Sequence, residues 1–235
     1  MRRECLRYHG SMRFAKLRAL RFLTLFSLVT AGLTAATSEV LLENEQVRVL
    51  RAVDQPHIAS LPHKDERNRV MIYLQAGSQE ITAEDGKKLN MQWKAGETKW
   101  SPAGGMHTSE ITSGAPVTII EVEIKKEGEA NKKVSASLDP LQVDPQDYKL
   151  EFENSQVRVT RVKMGPEHPV PMHEHALNRV VVCLTDQNSS MTTPDGKTET
   201  VRHKAGEVSW GRPTQHKELN LSDKPLEVVV VEVKN

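Results

Sequence analysis

The sequence predicts an all-β protein built from two tandem copies of one small barrel. Comparing the chain with itself at a shift of 110 residues pairs Glu43–Arg51 with Glu153–Arg161, and many later matches keep nearly the same offset. In both segments apolar and polar residues alternate with a period of two, as in half-buried strands. Downstream of residue 36 no stretch has a convincing helical period. We place the copies at residues 40–125 and 149–235.

The first 36 residues differ in composition from the rest. Seven basic side chains and one acidic residue, Glu4, precede an apolar run that ends at Ala36. This layout is typical of a secretory signal peptide, and the run is short for a membrane anchor. We therefore expect residues 1–36 to be removed on export, with Met1 or Met12 as the start, and the mature protein to be periplasmic or secreted.

Charge and cysteine content restrict the partners and the chemistry. Losing residues 1–36 removes seven of 32 basic and one of 31 acidic residues, which leaves a net charge of about −5 and disfavours nucleic acid as a partner. Cys183 is then the only cysteine, so no intramolecular disulfide can form. Because it lies in an apolar run, we expect it to be buried as a small apolar residue.

Turns and apolar runs predict how the copies are organised. Hairpin turns of type I′ are expected at Asp85-Gly86 and Asp195-Gly196, since that turn needs positive φ at both central residues. Residues 126–148, rich in charged and small residues with two prolines, are predicted to be a linker. Strands that are apolar on both faces must be buried on both sides, so we expect them to lie where the two copies pack together. Three such runs are residues 70–74, 180–184 and 228–231.

Histidines of the second copy have the spacing of a metal site. His173 and His175 stand two apart, and on a strand such side chains point to the same face. His216 follows a loop that opens with Gly206 and contains Pro213, so it is placed to supply a third nitrogen. The other histidines, such as His57, His168 and His203, have no partner at ligand spacing and are expected on the surface or in loops.

These residues resemble the two short motifs of the cupin superfamily, and two copies in one chain resemble a bicupin. The resemblance implies two jelly-roll barrels (double-stranded β-helices), each with a small-molecule pocket, but it does not imply one activity. The second copy carries both motifs, as Gly165, His173 and His175 and then Gly206, Pro213, His216 and Asn220. The first copy has His63 from the first motif and, from the second, Gly96, Pro102, Gly104 and His107.

The pattern departs from the family where a metal-binding glutamate is expected. That position holds Arg179 in the second copy and Arg69 in the first, and a guanidinium cannot ligate a metal. A divalent metal (Fe, Zn, Mn or Cu) on the second-copy histidines and a metal-free remnant both stay open.

The first copy offers a different set of candidate ligands. His63, Asp65 and His107 give the ligand types of a two-histidine, one-carboxylate iron site. Alternatively, Asp65 belongs to a solvated run of charged residues. The spacing alone does not decide between the two.

Two Asn-Arg pairs, Asn68-Arg69 and Asn178-Arg179, are predicted to line the pockets. A buried guanidinium needs an acceptor, either a protein carboxylate such as Glu110 or Glu218 or the carboxylate of a bound substrate.

Two functions remain open. The first is an exported bicupin with a small-molecule pocket, as a metal-dependent enzyme of the dioxygenase or isomerase type acting on a small carboxylate-bearing metabolite. The second is a non-catalytic periplasmic binding or structural cupin with degenerate metal sites. The expected partners are a small-molecule ligand and the other copy within the chain. A homo-oligomer is left open.

Overall fold

A computed structural model describes residues 36–128 and 134–234. The predicted signal peptide lies outside the described residues, apart from Ala36. Among the described residues, no helix has the length and apolar character needed to cross a bilayer.

The first half of the described chain consists of antiparallel strands in two sheets. A five-stranded sheet has the order β1-β2-β9-β4-β7, and a four-stranded sheet has the order β3-β8-β5-β6. The strands are β1 (Ala36–Glu43), β2 (Val47–Asp54), β3 (His63–Lys64), β4 (Arg69–Tyr73), β5 (Gly77–Ala83), β6 (Lys88–Trp93), β7 (Thr98–Ser101), β8 (Met106–Ile111) and β9 (Val117–Ile124).

The second half repeats this arrangement with β10-β11-β18-β13-β16 and β12-β17-β14-β15. A single short helix, α1 (Pro140–Val143), precedes it in the described chain. The strands are β10 (Tyr148–Glu153), β11 (Val157–Met164), β12 (Pro169–His175), β13 (Arg179–Cys183), β14 (Gln187–Thr192), β15 (Thr198–His203), β16 (Val208–Gly211), β17 (Thr214–Asn220) and β18 (Leu226–Val233). The prediction of two all-β copies is confirmed.

The two five-stranded sheets pack against each other through one shared apolar core. Along β4, Val70 and Ile72 enter this shared core, whereas Met71 and Tyr73 enter the core of their own barrel. In β18, Val229 and Val231 belong to the shared core in the same way. These strands are therefore apolar on both faces because each face meets a different core, as the sequence predicted. The central contributors are Val47, Val49, Val70, Ile72, Ile120, Val122, Val157, Val159, Val180, Val182, Val229 and Val231.

The repeated Asn-x-Gln-Val segment has a structural role in each half. The Asn154 side chain accepts hydrogen bonds from the backbone N–H groups of Gln156 and Val157, at 2.8 and 3.0 Å, and closes the β10–β11 turn. Asn44 does the same between β1 and β2. The valine that follows starts the strand on the shared core, so one short motif sets both the turn and the face of the strand.

Two details of the chain differ from the sequence predictions. The hairpin turns form, but only their glycines, Gly86 and Gly196, have positive φ, so neither is a type I′ turn. The segment predicted to be a linker contains α1 and ends in Tyr148, the first residue of β10. Asp139 caps α1 by accepting from the N–H of Leu141 at 3.0 Å, which a composition rich in small and charged residues does not reveal.

Candidate metal centres

Three histidines converge inside the second barrel, as predicted. β12 supplies His173 and His175, and its antiparallel neighbour β17 supplies His216 directly opposite His173. One ring nitrogen from each lies within 4.8 Å of the others, and all three side chains are buried. The ring centroids of His173 and His216 are 4.4 Å apart. The strand register therefore builds the cluster without any contribution from a flexible loop.

Burial keeps these imidazoles neutral. It lowers the pKa of His173 to about 4 and that of His216 to about 2. Burial also lowers the pKa of His175, although the hydrogen bond with Glu232 opposes the shift. Neutral imidazole is the form that binds metals, so at neutral pH the cluster needs no deprotonation before it can act as a ligand set.

Hydrogen bonds orient the rings. His173 Nδ1 donates to the carbonyl oxygen of Pro171 at 2.9 Å, which leaves its Nε2 unprotonated and 3.1 Å from the Tyr148 hydroxyl. His175 Nδ1 lies 3.4 Å from Glu232 Oε1. No described residue is hydrogen-bonded to the His216 ring. Rings fixed through the nitrogen opposite the ligand atom are typical of metal sites, and three neutral imidazoles suit Zn, Cu or Fe better than Mn.

Arg179 lies beside the cluster without a carboxylate partner. Its Nη1 donates to the carbonyl oxygen of Arg212 at 2.7 Å, and its guanidinium covers Gly211 so closely that a Cβ there would lie 2.8 Å from Cζ. Within residues 36–128 and 134–234, no carboxylate forms an ion pair with it. Burial lowers its pKa. Glu218, one predicted acceptor, instead accepts from Gln187 Nε2 at 3.2 Å.

The first barrel also assembles its predicted ligand set, in an open setting. One ligand atom each of His63, Asp65 and His107 lies within 4.8 Å of the others. The three residues line a cavity of about 520 Å³. The histidines direct Nδ1 toward the carbonyl oxygens of Leu61 and Gly105, at 2.9 and 3.0 Å. Both Nε2 atoms are therefore available as ligands.

Arg69 changes the chemistry of this first set. Its guanidinium binds both carboxylate oxygens of Asp65, with Nη2 to Oδ2 at 2.6 Å, and its Nε lies 3.4 Å from Glu121 Oε2. The predicted acceptor Glu110 is not used. Arg69 is therefore not free to clamp a substrate carboxylate, and Asp65 already has its counter-charge.

Asn68 and Asn178 do not face the barrel interiors beside their arginines, which corrects the prediction from sequence. Asn68 Nδ2 donates to Gln156 Oε1 at 2.6 Å, and Asn178 Nδ2 donates to Gln46 Oε1 at 2.7 Å. Each amide therefore crosses to the opposite half. Neighbouring residues of a strand point to opposite faces, so an asparagine next to a pocket arginine faces away from that pocket.

Comparison with known proteins agrees with this architecture. No protein-family model and no curated protein sequence matches the chain. AerE from Microcystis aeruginosa superposes with a TM-score of 0.62 at 12% identity, over 86% of this chain and 93% of its own. A cupin 2 conserved barrel domain protein from Leptotrichia buccalis gives 0.52 at 16%, over 88% and 93%. Oxalate decarboxylase of Bacillus subtilis gives 0.59 at 13%, over 85% and 72%. This chain folds as a bicupin.

The candidate ligand positions differ between the two barrels of this chain. The second barrel keeps three histidines and has Arg179 near them, whereas the first replaces one histidine with Asp65 and pairs it with Arg69. Oxalate decarboxylase of Bacillus subtilis has Mn(II) centres. At 13% identity this likeness shows the fold and does not assign a metal to this bicupin.

Several residues near the second site were missed by the analysis of the sequence alone. Tyr148, at the end of the predicted linker, reaches His173. Glu232 accepts from Arg158 Nε at 2.5 Å, and Arg158 Nη1 donates to Asp139 at 2.6 Å. These three charged groups are buried in a network that extends to His175. In β18 a buried glutamate among valines is the one signal that could have indicated an inward-facing charge.

Proposed function

We propose that this bicupin binds a divalent transition metal in its second barrel, together with a small carboxylate. The observation that carries the proposal is the meeting of three buried, neutral imidazoles, those of His173, His175 and His216, within 4.8 Å. Three protein ligands leave positions open for an exogenous ligand. When bound, the metal would act as a Lewis acid that polarises that ligand.

The charge of Arg179 supports a carboxylate as that ligand. A buried guanidinium without an anionic partner is costly, and a dication on the adjacent histidines would add further positive charge. A small carboxylate can accept two parallel hydrogen bonds from a guanidinium, and its negative charge would offset part of the positive charge of Arg179 and of the metal. Because all three histidine side chains are buried, we expect a ligand of only a few heavy atoms, such as formate, acetate or oxalate.

Carboxylate titration of the metal-loaded protein tests this assignment. Isothermal titration with formate, acetate and oxalate should show binding, and Arg179→Met should weaken it by roughly tenfold or more, since a charge-assisted bidentate pair is lost. Arg212→Met is the matched control, because the Arg212 side chain is exposed and only its backbone carbonyl contacts Arg179. Absence of carboxylate binding to the loaded protein would refute the assignment.

A non-catalytic role is the second candidate, and one contact favours it. The Tyr148 hydroxyl lies 3.1 Å from His173 Nε2, so it occupies the ligand side of that ring. Turnover separates the candidates. Consumption of a bound carboxylate by the loaded protein supports a metal-dependent enzyme, whereas binding without product over hours supports a binding or structural cupin.

The first barrel is proposed as a separate small-molecule pocket. Its cavity of about 520 Å³ lies in the range of small-ligand sites. Burial raises the pKa of Asp54 and of Glu121 in its wall. With Arg69 already paired to Asp65, this pocket offers a carboxylate-bearing metabolite no free guanidinium.

Export is proposed from the basic and apolar composition of the first 36 residues. N-terminal sequencing of the protein from the cell envelope should give a start at Thr37. An intact Met1 or Met12 on protein from the cytoplasm would overturn the proposal.

A further inference from the structure

A second cluster of metal-ligating side chains lies where the segment between the halves joins the second barrel. Asp144 directly follows α1 as its C-cap, Asp147 directly precedes β10, and His168 directly precedes β12. His168 lies 21 residues after Asp147, which is why the sequence predicted no ligand partner for it. One ligand atom of each side chain lies within 4.8 Å of the others.

Both carboxylates are buried and incompletely hydrogen-bonded. Asp144 and Asp147 are 8% and 5% exposed. Asp144 Oδ1 accepts from the N–H of Asp147 at 3.3 Å, but its buried Oδ2 accepts no hydrogen bond from any described residue. Asp147 Oδ2 faces His168 Nε2 at 2.9 Å, off the direction of a hydrogen bond. Buried polar atoms without partners are rare in proteins, and a bound ion is one way to satisfy them.

No described lysine or arginine forms an ion pair with either carboxylate. Burial raises the pKa of Asp147, and the neighbouring charge of Asp144 raises it further. Without a lysine or arginine partner, two adjacent carboxylates repel each other unless they share a proton or a neighbouring cation offsets their charge. His168 is the nearest positively chargeable group, and with 37% of its side chain exposed it borders the solvent, which gives an ion a route to the carboxylates.

The backbone around the cluster is fixed from several sides. The carbonyl oxygen of Asp147 accepts from the N–H of Lys163 at 2.9 Å, and the N–H of His168 donates to Gly165 at 3.3 Å. Three ligand atoms are thereby held together by a helix end and two strand starts rather than by one flexible loop.

We propose that Asp144, Asp147 and His168 bind a divalent transition ion, Zn²⁺ or Mn²⁺, at a site separate from the three-histidine cluster. Two carboxylates and one imidazole combine the ligand types that these ions accept. The ion would tie the segment between the halves to the second barrel. It would also fix the start of β10, where Tyr148 contacts His173.

The test uses full-length protein in which His173→Ala and His216→Ala have removed the other cluster. Titration of this parent with Zn²⁺ alone, and with Mn²⁺ alone, should show one site per chain that is lost, or weakened at least 100-fold, on adding Asp144→Asn and Asp147→Asn. Asp223→Asn, at an exposed carboxylate, should leave binding unchanged. Equal binding by the parent and the Asn variant would overturn the proposal, as would a parent that binds neither ion.

Thermal unfolding separates a lost ligand from a damaged fold. Since Asn at positions 144 and 147 removes repulsion between the carboxylates, the metal-free variant should unfold at the same temperature as its parent or higher. Zn²⁺ should raise the unfolding temperature of the parent only. His168→Gln, at a partly exposed side chain, should also lose the Zn²⁺ effect. A Zn²⁺ shift retained in both variants would contradict the site.

Discussion

At the residue scale, Arg179 is the side chain on which the proposed function of the second barrel depends. It occupies the position where cupins place a metal-binding glutamate, its nearest hydrogen-bond partner is the carbonyl of Arg212, and burial lowers its pKa. A fixed positive charge opposes a dication at the neighbouring histidines. Under the proposed function, the same charge would attract an anion that contacts both the guanidinium and the metal, so Arg179 would weaken metal binding and select the accompanying ligand.

Replacing this arginine should therefore tighten metal binding. We expect Arg179→Glu to increase the Zn²⁺ affinity of the second barrel roughly tenfold or more, because a repelling charge becomes an attracting one and a fourth ligand is supplied. Arg179→Met separates these effects, since it removes the charge without adding a ligand. Isothermal titration gives both affinities, and binding by Arg179→Glu that is equal to or weaker than wild type would contradict the placement of Arg179 beside the metal.

The buried histidines make the stability of the metal-free protein pH-dependent. Folding lowers the pKa of His173 to about 4 and of His216 to about 2, from an ordinary 6.5. As the pH falls below 6.5, the unfolded chain takes up protons first, so the free energy of unfolding should fall by about 1.4 kcal/mol per pH unit for each histidine. Urea unfolding at pH 7, 6 and 5 measures this, with His173→Gln/His216→Gln as the control that should show a flatter dependence.

At the element scale, strand periodicity predicted which segments pack but not what they contact. The runs at residues 70–74, 180–184 and 228–231 were expected between the copies, and they lie there. This could be predicted because the presence of apolar residues on both faces of a strand can be read from the local sequence. Pairings between distant segments leave no such local pattern. The contact of Tyr148 with His173 and the crossing of Asn68 to Gln156 are both of this second kind.

The packing of the two five-stranded sheets leads to a separate prediction about the free energy of unfolding. Ile120 is fully buried between the sheets, and Ile120→Ala should lower the free energy of unfolding by about 2 to 5 kcal/mol through lost burial and a residual cavity. Leu61→Ala, at a side chain that is 85% exposed, should change it by less than about 0.5 kcal/mol. If urea unfolding finds similar values for both, the face-to-face packing of the two sheets is wrong.

At the scale of the whole molecule, the two halves share a fold but have diverged in their interiors. The second barrel buries three histidines, of which His173 and His175 have hydrogen-bonded partners, while the first keeps a cavity and pairs its candidate ligand Asp65 with Arg69. The repeat in the sequence predicted the common architecture. It could not predict this division, because both copies carry plausible ligand residues and the difference lies in ion pairs and packing.

The most direct test of the account is metal titration of three proteins: wild type, His216→Ala and His107→Ala. The two substitutions are matched, since His216 and His107 are the histidines of the second short motif in their respective barrels. We predict that His216→Ala loses one Zn²⁺ site per chain relative to wild type, whereas His107→Ala loses none. Loss of a site in His107→Ala but not in His216→Ala, or the same number of sites in all three proteins, would contradict metal binding by the second barrel.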